Sequence, residues 1–184
     1  MRMARHAPAR PVRADGWAGG AGLSPALLPQ DEAARLEDLR ALDVLDTPRE
    51  RGFDRLVFIA AQVFRTPIAA VSFVGEDRQW FKAKVGLPMA ETGREVSFCA
   101  HALHGPEPFV VRDTLRDPRF HRNPLVTRGP RLRFYAGVPL VDAGGHALGA
   151  LCVLDREPRR LRAKESRALE ELGAIAIEEL KRRT

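Results

Sequence analysis

Residues 133–155, RFYAGVPLVDAGGHALGALCVLD, decide the fold of this chain. Two apolar runs flank DAGGH at 142–146, and turn residues between two apolar runs predict a β-hairpin. The earlier runs PIAAVSFVG and RQWFKAKVG meet at GEDR, residues 75–78, and predict a second hairpin. Because a hairpin joins antiparallel neighbours, two successive hairpins indicate an antiparallel sheet.

Helices are predicted at both ends of the ordered sequence. Leucines at steps of three predict a helix over 31–46, and apolar residues at helical spacing predict helices over 53–64 and 162–181. Between the hairpins, FCAHALHG at 98–105 predicts one or two helical turns that end at Gly105. This order predicts an α+β domain in which the terminal helices cover one face of the sheet.

The composition indicates one globular domain with an N-terminal tail. The chain has 184 residues, of which 45% are hydrophobic, enough for a sizeable core. Residues 1–30 are rich in Pro, Gly and Ala and show no apolar period, so we expect a disordered basic tail there and a single domain over 31–184. The sequence shows no signal peptide and no apolar run long enough to span a bilayer, which predicts a cytoplasmic protein without a membrane partner.

The net charge of +6 raises nucleic acid as a possible partner. The four arginines and one aspartate of residues 1–30 supply half of that charge, and only four of the 30 basic residues are lysines. A solvated basic surface is therefore the better interpretation, and we expect no nucleic acid partner. One cluster of seven arginines favours an anionic ligand if it lines a pocket: Arg112, Arg116, Arg119, Arg122, Arg128, Arg131 and Arg133.

Cys99 and His101 in FCAH are the candidates for chemistry. On a helix, residues two apart point about 200° apart, so the two side chains face different ways. Zinc needs three or four ligands, and no third ligand stands at a recognised spacing; Cys152 lies on a predicted core strand, from which it can approach. The apolar neighbours of Cys99 predict a raised pKa and an inert thiol. We therefore expect no catalytic residue and no metal site here.

Taken together, the segments resemble the GAF family of small-molecule-binding regulatory domains over about residues 36–180. The stretches that carry the resemblance are LDVLDTP (42–48), FDRLVFIAAQVF (53–64), PIAAVSFVGEDRQWFKAKVGL (67–87), REVSFCAHAL (94–103), FVVRDTLRDPRFHRNPLV (109–126) and RFYAGVPLVDAGGHALGALCVLDREPRRL (133–161). Their order is similar to that of a bacterial subgroup often attached to histidine kinases or cyclic-dinucleotide synthases. The resemblance implies an antiparallel sheet of about six strands, terminal helices on one face and a pocket on the other.

The sequence lacks the motifs of the family members that have more specific functions. Free methionine sulfoxide reductases resemble it at Cys99, but they carry a further cysteine in the loop where this chain reads RFHRNPLV, residues 119–126. Bilin-binding members place cysteine directly before histidine, whereas Ala100 intervenes here. The Asn-Lys-Phe-Asp-Glu signature of cyclic-nucleotide-binding members is absent. A thiol-dependent reductase that uses Cys99 stays open as an alternative.

The predicted pocket lies between the sheet and residues 97–133. Phenylalanine and tyrosine supply an apolar wall, while a few polar side chains fix a ligand. The predicted lining is Phe98, Cys99, His101, Asp113, Phe120, Asn123, Phe134 and Tyr135. The ligand is an unidentified small molecule, and no cofactor is expected.

The leading hypothesis is a non-catalytic sensory domain of bacterial signalling. We expect it to act through a signalling partner or through its own dimerisation; a dimerisation module with an idle pocket is a second alternative. Apolar residues on two sides of the last helix, with Ile175 and Ile177 rotated away from Leu169 and Leu172, predict a homodimer built from the terminal helices.

Overall fold

The structure, a computed structural model, describes residues 23–183. Predictions for residues 1–22 lie outside the described residues. Five α-helices and six strands follow one another in the order α1 (Glu32–Ala41), α2 (Arg51–Phe64), β1 (Ile68–Val74), β2 (Arg78–Val85), β3 (Glu91–Gly93), α3 (Phe98–His101), β4 (Phe109–Val111), α4 (Pro124–Thr127), β5 (Phe134–Val141), β6 (Ala147–Asp155) and α5 (Ala163–Lys181). Single turns of 3-10 helix span Arg94–Val96 and Ala102–His104.

The strands form one antiparallel sheet in the order β3-β2-β1-β6-β5-β4. The two predicted hairpins are β1–β2 and β5–β6, and the long β1–β6 pairing joins them at the centre of the sheet. The prediction of an α+β domain with about six antiparallel strands is confirmed. Strand β3 has only three residues, too few for a pattern of alternating side chains to reveal it.

Helices α1, α2 and α5 cover one face of the sheet. Helix α2 buries Phe53, Leu56, Val57, Ala60, Ala61 and Phe64, the spacing that puts apolar side chains on one side of a helix. Those side chains pack against alternate residues of the strands, among them Val71, Phe73 and Leu151. This helical core also takes Leu169, Leu172 and Ala176 from α5.

Residues 97–133 cover the other face and form a second core there. Helices α3 and α4, with the loops around them, bury the intervening strand residues, among them Ala70, Tyr135 and Cys152. Strand β1 is buried at all seven positions because both faces of the sheet are covered. The neighbours Phe134 and Tyr135 therefore serve different cores, Phe134 the helical one and Tyr135 the second.

The first predicted helix is shorter than expected, since α1 ends at Ala41 rather than near 46. Asp43 and Asp46 adopt positive φ angles of 43° and 60°, which a helix does not permit. The loop that follows is fixed by the buried Lys82 of β2, whose Nζ donates to Thr47 Oγ1 at 2.7 Å and to the Pro48 carbonyl at 2.8 Å. The sequence LDTP thus ties the helical layer to the sheet.

Residues 23–30 lie in neither helix nor strand. Leu23 and Ala26 are partly buried and pack against the second core, so this part of the predicted tail contacts the domain that was expected to begin at 31. Among the described helices, none has both the length and the apolar character needed to cross a membrane.

Candidate functional site

Helix α3 carries the central residues of the site because Ser97 holds it against β2. The Ser97 hydroxyl accepts a hydrogen bond from the Ala100 N–H at 3.0 Å, as an N-cap residue does. The same hydroxyl donates to Gln79 Oε1 of β2. This pair of contacts turns Phe98 and Cys99 toward the sheet, and both side chains are buried.

An aromatic cluster fills most of the space between α3 and β5. The Phe98 ring stacks on Phe120 with 4.2 Å between centroids and on Tyr135 with 5.3 Å. The His101 ring meets Phe120 edge-on at 4.8 Å and lies parallel to Phe109 at 5.8 Å. Offset and edge-on contacts of this kind stabilise beyond the area that they bury.

Behind the aromatic rings lies a buried pair of thiols. Cys99 Sγ is 3.8 Å from Cys152 Sγ of β6, and both residues are 1% exposed. The Tyr135 hydroxyl donates to Cys99 Sγ at 3.3 Å. Gly137 makes this contact possible, since a Cβ at that position would lie 2.2 Å from the Tyr135 hydroxyl oxygen.

The two thiols differ in acidity. The pKa of Cys99 is lowered, chiefly because of its hydrogen bond with Cys152; burial opposes this effect, while Ser72, Tyr135 and Gln79 add to it. The pKa of Cys152 is raised well above its usual value by its interaction with Cys99 and by burial. The prediction of a raised Cys99 pKa is therefore wrong, because the sequence neighbours of Cys99 are apolar while its spatial neighbours are hydrogen-bond donors.

A cavity of about 20 Å³ adjoins the thiols, space for one molecule the size of water. Thr92 of β3 is 3% exposed, lines this cavity, and its hydroxyl has no hydrogen-bond partner within residues 23–183. The wall also includes hydrophobic side chains of β2, α4 and the neighbouring loops. The complete lining is Gln79, Phe81, Leu87, Met89, Thr92, Phe98, Cys99, Leu125, Pro130, Leu132, Tyr135, Cys152 and Leu154.

His101 lies at the outer edge of the aromatic cluster and not at the cavity. Burial lowers its pKa from the usual 6.5 to about 4, and the nearby Arg119 guanidinium acts in the same direction. Arg119 itself lies over the Phe109 and Phe120 rings, 4.9 and 5.4 Å from their centroids. The predicted divergence of Cys99 and His101 is confirmed, since one contacts Cys152 and the other contacts aromatic rings.

Six of the eight predicted lining residues fall into three groups in the structure. Phe98, Cys99 and Tyr135 line the cavity, while Phe120 and His101 stack one layer farther out. Asn123 is buried, but its amide donates to the Val96 carbonyl at 2.9 Å and its Oδ1 caps α4 at 2.9 Å. Asn123 therefore holds α4 in place.

Like Phe120, His101 and Asn123, the remaining two predicted lining residues do not line the cavity. Phe134 lies in the helical core, because adjacent strand residues point to opposite faces and Tyr135 takes the cavity side. Asp113 lies in an outer groove of about 730 Å³ and pairs with Arg133, Oδ2 to Nη2 at 2.9 Å. Arg112 and Arg116 line that same groove, so these members of the arginine cluster face away from the cavity.

The residues that the sequence missed are mostly on strands. Gln79 and Thr92 are buried polar residues of β2 and β3, and Cys152 was expected only as a core residue able to approach. The signal was present in part, since a polar side chain inside a buried strand requires a partner. The proximity of Gln79 and Thr92 could not be predicted, because the sequence does not give the register in which β2 and β3 pair.

A separate group could hold a metal ion on the helical side. Within the described residues, Asp38, Asp142 and His146 each offer a ligand atom, and these atoms lie within 4.8 Å of one another. His146 Nδ1 of the ring is 2.5 Å from Asp38 Oδ2, and the backbone N–H of His146 donates to Asp142 Oδ1 at 2.8 Å. These hydrogen bonds already give each residue a partner and join α1 to the β5–β6 turn.

Comparison with known proteins assigns the class. The GAF domain family matches residues 48–179, and this chain belongs to that family of signalling and sensory domains. A curated relative is a cyclic di-GMP phosphodiesterase of Pseudomonas aeruginosa, 46% identical over 131 residues. The match covers 71% of this chain and 22% of that protein, so the chain spans about a fifth of the relative's length.

Solved structures show the same fold. The GAF domain of an Acinetobacter phosphoenolpyruvate-protein phosphotransferase superposes with a TM-score of 0.58 at 16% identity and covers 81% of this chain and 94% of its own. The blue-light absorbing form of the Thermosynechococcus elongatus PixJ GAF domain gives a TM-score of 0.56 at 20% identity and covers 80% of this chain and 89% of its own. At this identity the likeness concerns the fold alone.

Proposed function

We propose that this chain is a non-catalytic sensory domain that binds a small molecule between the sheet and residues 97–133 and signals through its helical face. The observation that carries the proposal is the cavity beside α3. It combines apolar walls with buried polar groups, and its wall includes the Thr92 hydroxyl, which has no hydrogen-bond partner among the described residues. An apolar cavity with a small number of oriented polar groups is typical of ligand sites.

The volume of the cavity restricts what enters. About 20 Å³ accommodates a molecule the size of water, and a larger ligand requires residues 97–133 to move away from the sheet. The regular structure in that segment is limited to two four-residue α-helices, a three-residue 3-10 helix and a three-residue strand, so few backbone hydrogen bonds oppose such a movement. The dimerisation module with an idle pocket is the alternative if no ligand enters.

A reductase acting on methionine sulfoxide is less well supported. Such an enzyme needs a second thiol near Cys99, and Cys152 meets that requirement at 3.8 Å. A substrate must also reach the sulfur, yet both cysteines are 1% exposed and the adjoining space is far smaller than a methionine side chain. The phosphodiesterase activity of the Pseudomonas relative gives no support for an enzyme either, because the match covers 22% of that protein.

The surface through which the domain signals is proposed to lie on the helical face, across the sheet from the cavity. Helix α2 exposes Phe58, Ile59 and Val63, and α5 exposes Ile175. The two helices pack against each other, so their apolar side chains form a surface suited to a second copy or a signalling partner. The central strands contact both layers, which gives the cavity a physical connection to this surface.

Native mass spectrometry of freshly purified protein tests the ligand proposal. We expect a non-covalent added mass on the chain, retained by Thr66→Val and reduced by Thr92→Val. Both threonines are buried with a hydroxyl that has no hydrogen-bond partner in residues 23–183, but only Thr92 lines the cavity, so the pair is matched. An apo mass in every preparation, or equal retention by both variants, contradicts the proposal.

A further inference from the structure

The thiol pair is positioned to form a bond across the second core. Cys99 and Cys152 are 53 residues apart in sequence, and their sulfur atoms are 3.8 Å apart. A disulfide has an S–S length of about 2.05 Å, so the sulfurs need to approach by roughly 1.8 Å. One thiol is on the four-residue helix α3 and the other on β6, and a short helix flanked by loops can shift by this amount.

The surroundings give the two sulfurs different chemical roles. Cys99 Sγ accepts a hydrogen bond from the Tyr135 hydroxyl at 3.3 Å and has Cys152 as its second neighbour. Donors directed at a sulfur favour the thiolate, which is the nucleophilic form. Consistent with this geometry, the pKa of Cys99 is lowered and that of Cys152 is raised. Cys99 is the attacking sulfur, and Cys152 remains a protonated thiol beside it.

The cavity selects the oxidant by size. Both cysteines line the space of about 20 Å³, which excludes bulky sulfoxides and disulfides. Hydrogen peroxide is little larger than water and forms hydrogen bonds through both oxygens. The Thr92 hydroxyl, 3% exposed and without a partner within the described residues, lines the same cavity and can bind such a molecule.

We propose that Cys99 and Cys152 form a reversible disulfide with hydrogen peroxide as the oxidant. The Cys99 thiolate attacks one peroxide oxygen; an S–O bond forms, the O–O bond breaks, and the departing hydroxide takes a proton to become water. The Cys152 thiol then loses its proton and its sulfur attacks Cys99; the S–S bond forms, the S–O bond breaks, and a second water leaves. Two thiols are oxidised by two electrons, and one peroxide is reduced to two waters.

This modification site goes beyond the proposed function, because it does not require a ligand in the cavity. The disulfide would fasten α3 to β6 and hold residues 97–133 against the sheet. Oxidation would then close the space through which a larger ligand enters. External dithiols reverse the reaction by thiol–disulfide exchange once the segment opens.

The test uses the whole chain, reduced, and then treated with a small excess of hydrogen peroxide. Peptide mass spectrometry after blocking free thiols in denaturant should find the Cys99 and Cys152 peptides linked, with two hydrogens lost, and dithiothreitol should separate them. Native protein should react several-fold faster with peroxide than urea-unfolded protein, whereas a bulky maleimide should label the native thiols several-fold more slowly. The second comparison shows that the faster oxidation does not come from unfolding.

Single substitutions test the roles proposed for Cys99, Cys152 and Tyr135. Cys152→Ala should stop at a sulfenic acid on Cys99, trapped by a dimedone-type reagent, while Cys99→Ala should give no trapped adduct on Cys152. Tyr135→Phe keeps the ring and removes the donor, so we expect oxidation to slow several-fold. Unlinked peptides in the wild-type chain, or a native rate no faster than the unfolded rate, would overturn the proposal. The native mass spectrum of the untreated protein reports separately on the ligand.

Discussion

At the scale of single residues, Gly137 sets the position of the Tyr135 hydroxyl. The two residues are on the same side of β5, and the tyrosine ring folds over the space that a Gly137 side chain would occupy. Gly137 is also the register partner of Cys152 in β6. One missing Cβ therefore brings the hydroxyl of Tyr135 to the thiol pair.

We predict that Gly137→Ala destabilises the chain by about 1–3 kcal/mol, because the added methyl pushes a fully buried tyrosine out of its position. The measurement is the free energy of unfolding in urea. Gly105→Ala is the matched control, since no atom of the described residues lies within 4 Å of the Cβ that it adds, and its unfolding free energy should stay close to that of the wild type. Equal stability of the two variants would show that Tyr135 moves without cost.

Residue-level contacts were the least predictable from sequence. Adjacent residues of a strand face opposite ways, so Phe134 and Tyr135 cannot both line the cavity, and the choice between them depends on which layer each face of the sheet meets. The surroundings of Cys99 were predicted from its sequence neighbours, whereas its donors come from β1, β2, β5 and β6. Such contacts follow from strand register, which the hydrophobic pattern alone does not give.

At the scale of elements, α2 and α5 present exposed apolar side chains that the fold of one chain leaves uncovered. Phe58 is 57% exposed, Val63 54% and Ile175 49%. The predicted homodimer through the terminal helices remains a prediction, and the structure adds α2 to the proposed interface. Ile177, predicted to be rotated outward beside Ile175, instead packs partly buried against the helical core.

We predict that light scattering after chromatography gives about twice the 20.4 kDa chain mass. Phe58→Glu and Ile175→Glu should each shift the protein toward the monomer, because a charge in an apolar interface loses its hydration. Leu115→Glu is the control, since it adds the same charge at an exposed leucine on the opposite side of the sheet. A wild-type monomer at tens of micromolar, unaffected by any of these changes, would disprove the interface.

Most helices and strands could be predicted because the hydrophobic patterns that indicate them extend over many residues. Helix α2 and the strands of both hairpins show clear helical or strand patterns, so their existence and order follow from the sequence. The end of α1 could not be predicted, since Leu42 and Leu45 continue the spacing of the leucines while the backbone has already left the helix. Those two leucines pack against the helical core from a loop.

At the scale of the whole molecule, His101 makes stability depend on pH. Its pKa is about 4 in the folded chain against 6.5 for an ordinary histidine, so the unfolded chain binds the proton at the higher pH. The free energy of unfolding should therefore fall as the pH drops from about 6.5 to about 4.

We predict that His101→Gln flattens this pH dependence. Urea unfolding at pH 7, 6 and 5 should show a smaller loss of free energy for the variant than for the wild type, because Gln does not titrate. His121→Gln serves as the control, since its ring contacts the Pro118 carbonyl at 3.1 Å rather than the aromatic cluster. Parallel pH profiles for the wild type and His101→Gln would assign the loss to other groups.

The placement of two cores on one sheet restricts how the chain can change during evolution. Along β5, and along β6 from Ala150 onward, consecutive residues point to opposite layers. A substitution in these strands alters one layer, but a deletion of one residue exchanges the two sets and would put Phe134 beside the thiols and Tyr135 among the helices. Length variation among descendants of this sequence should therefore be confined to connections such as residues 142–146, while the strands keep their lengths and change only by replacement.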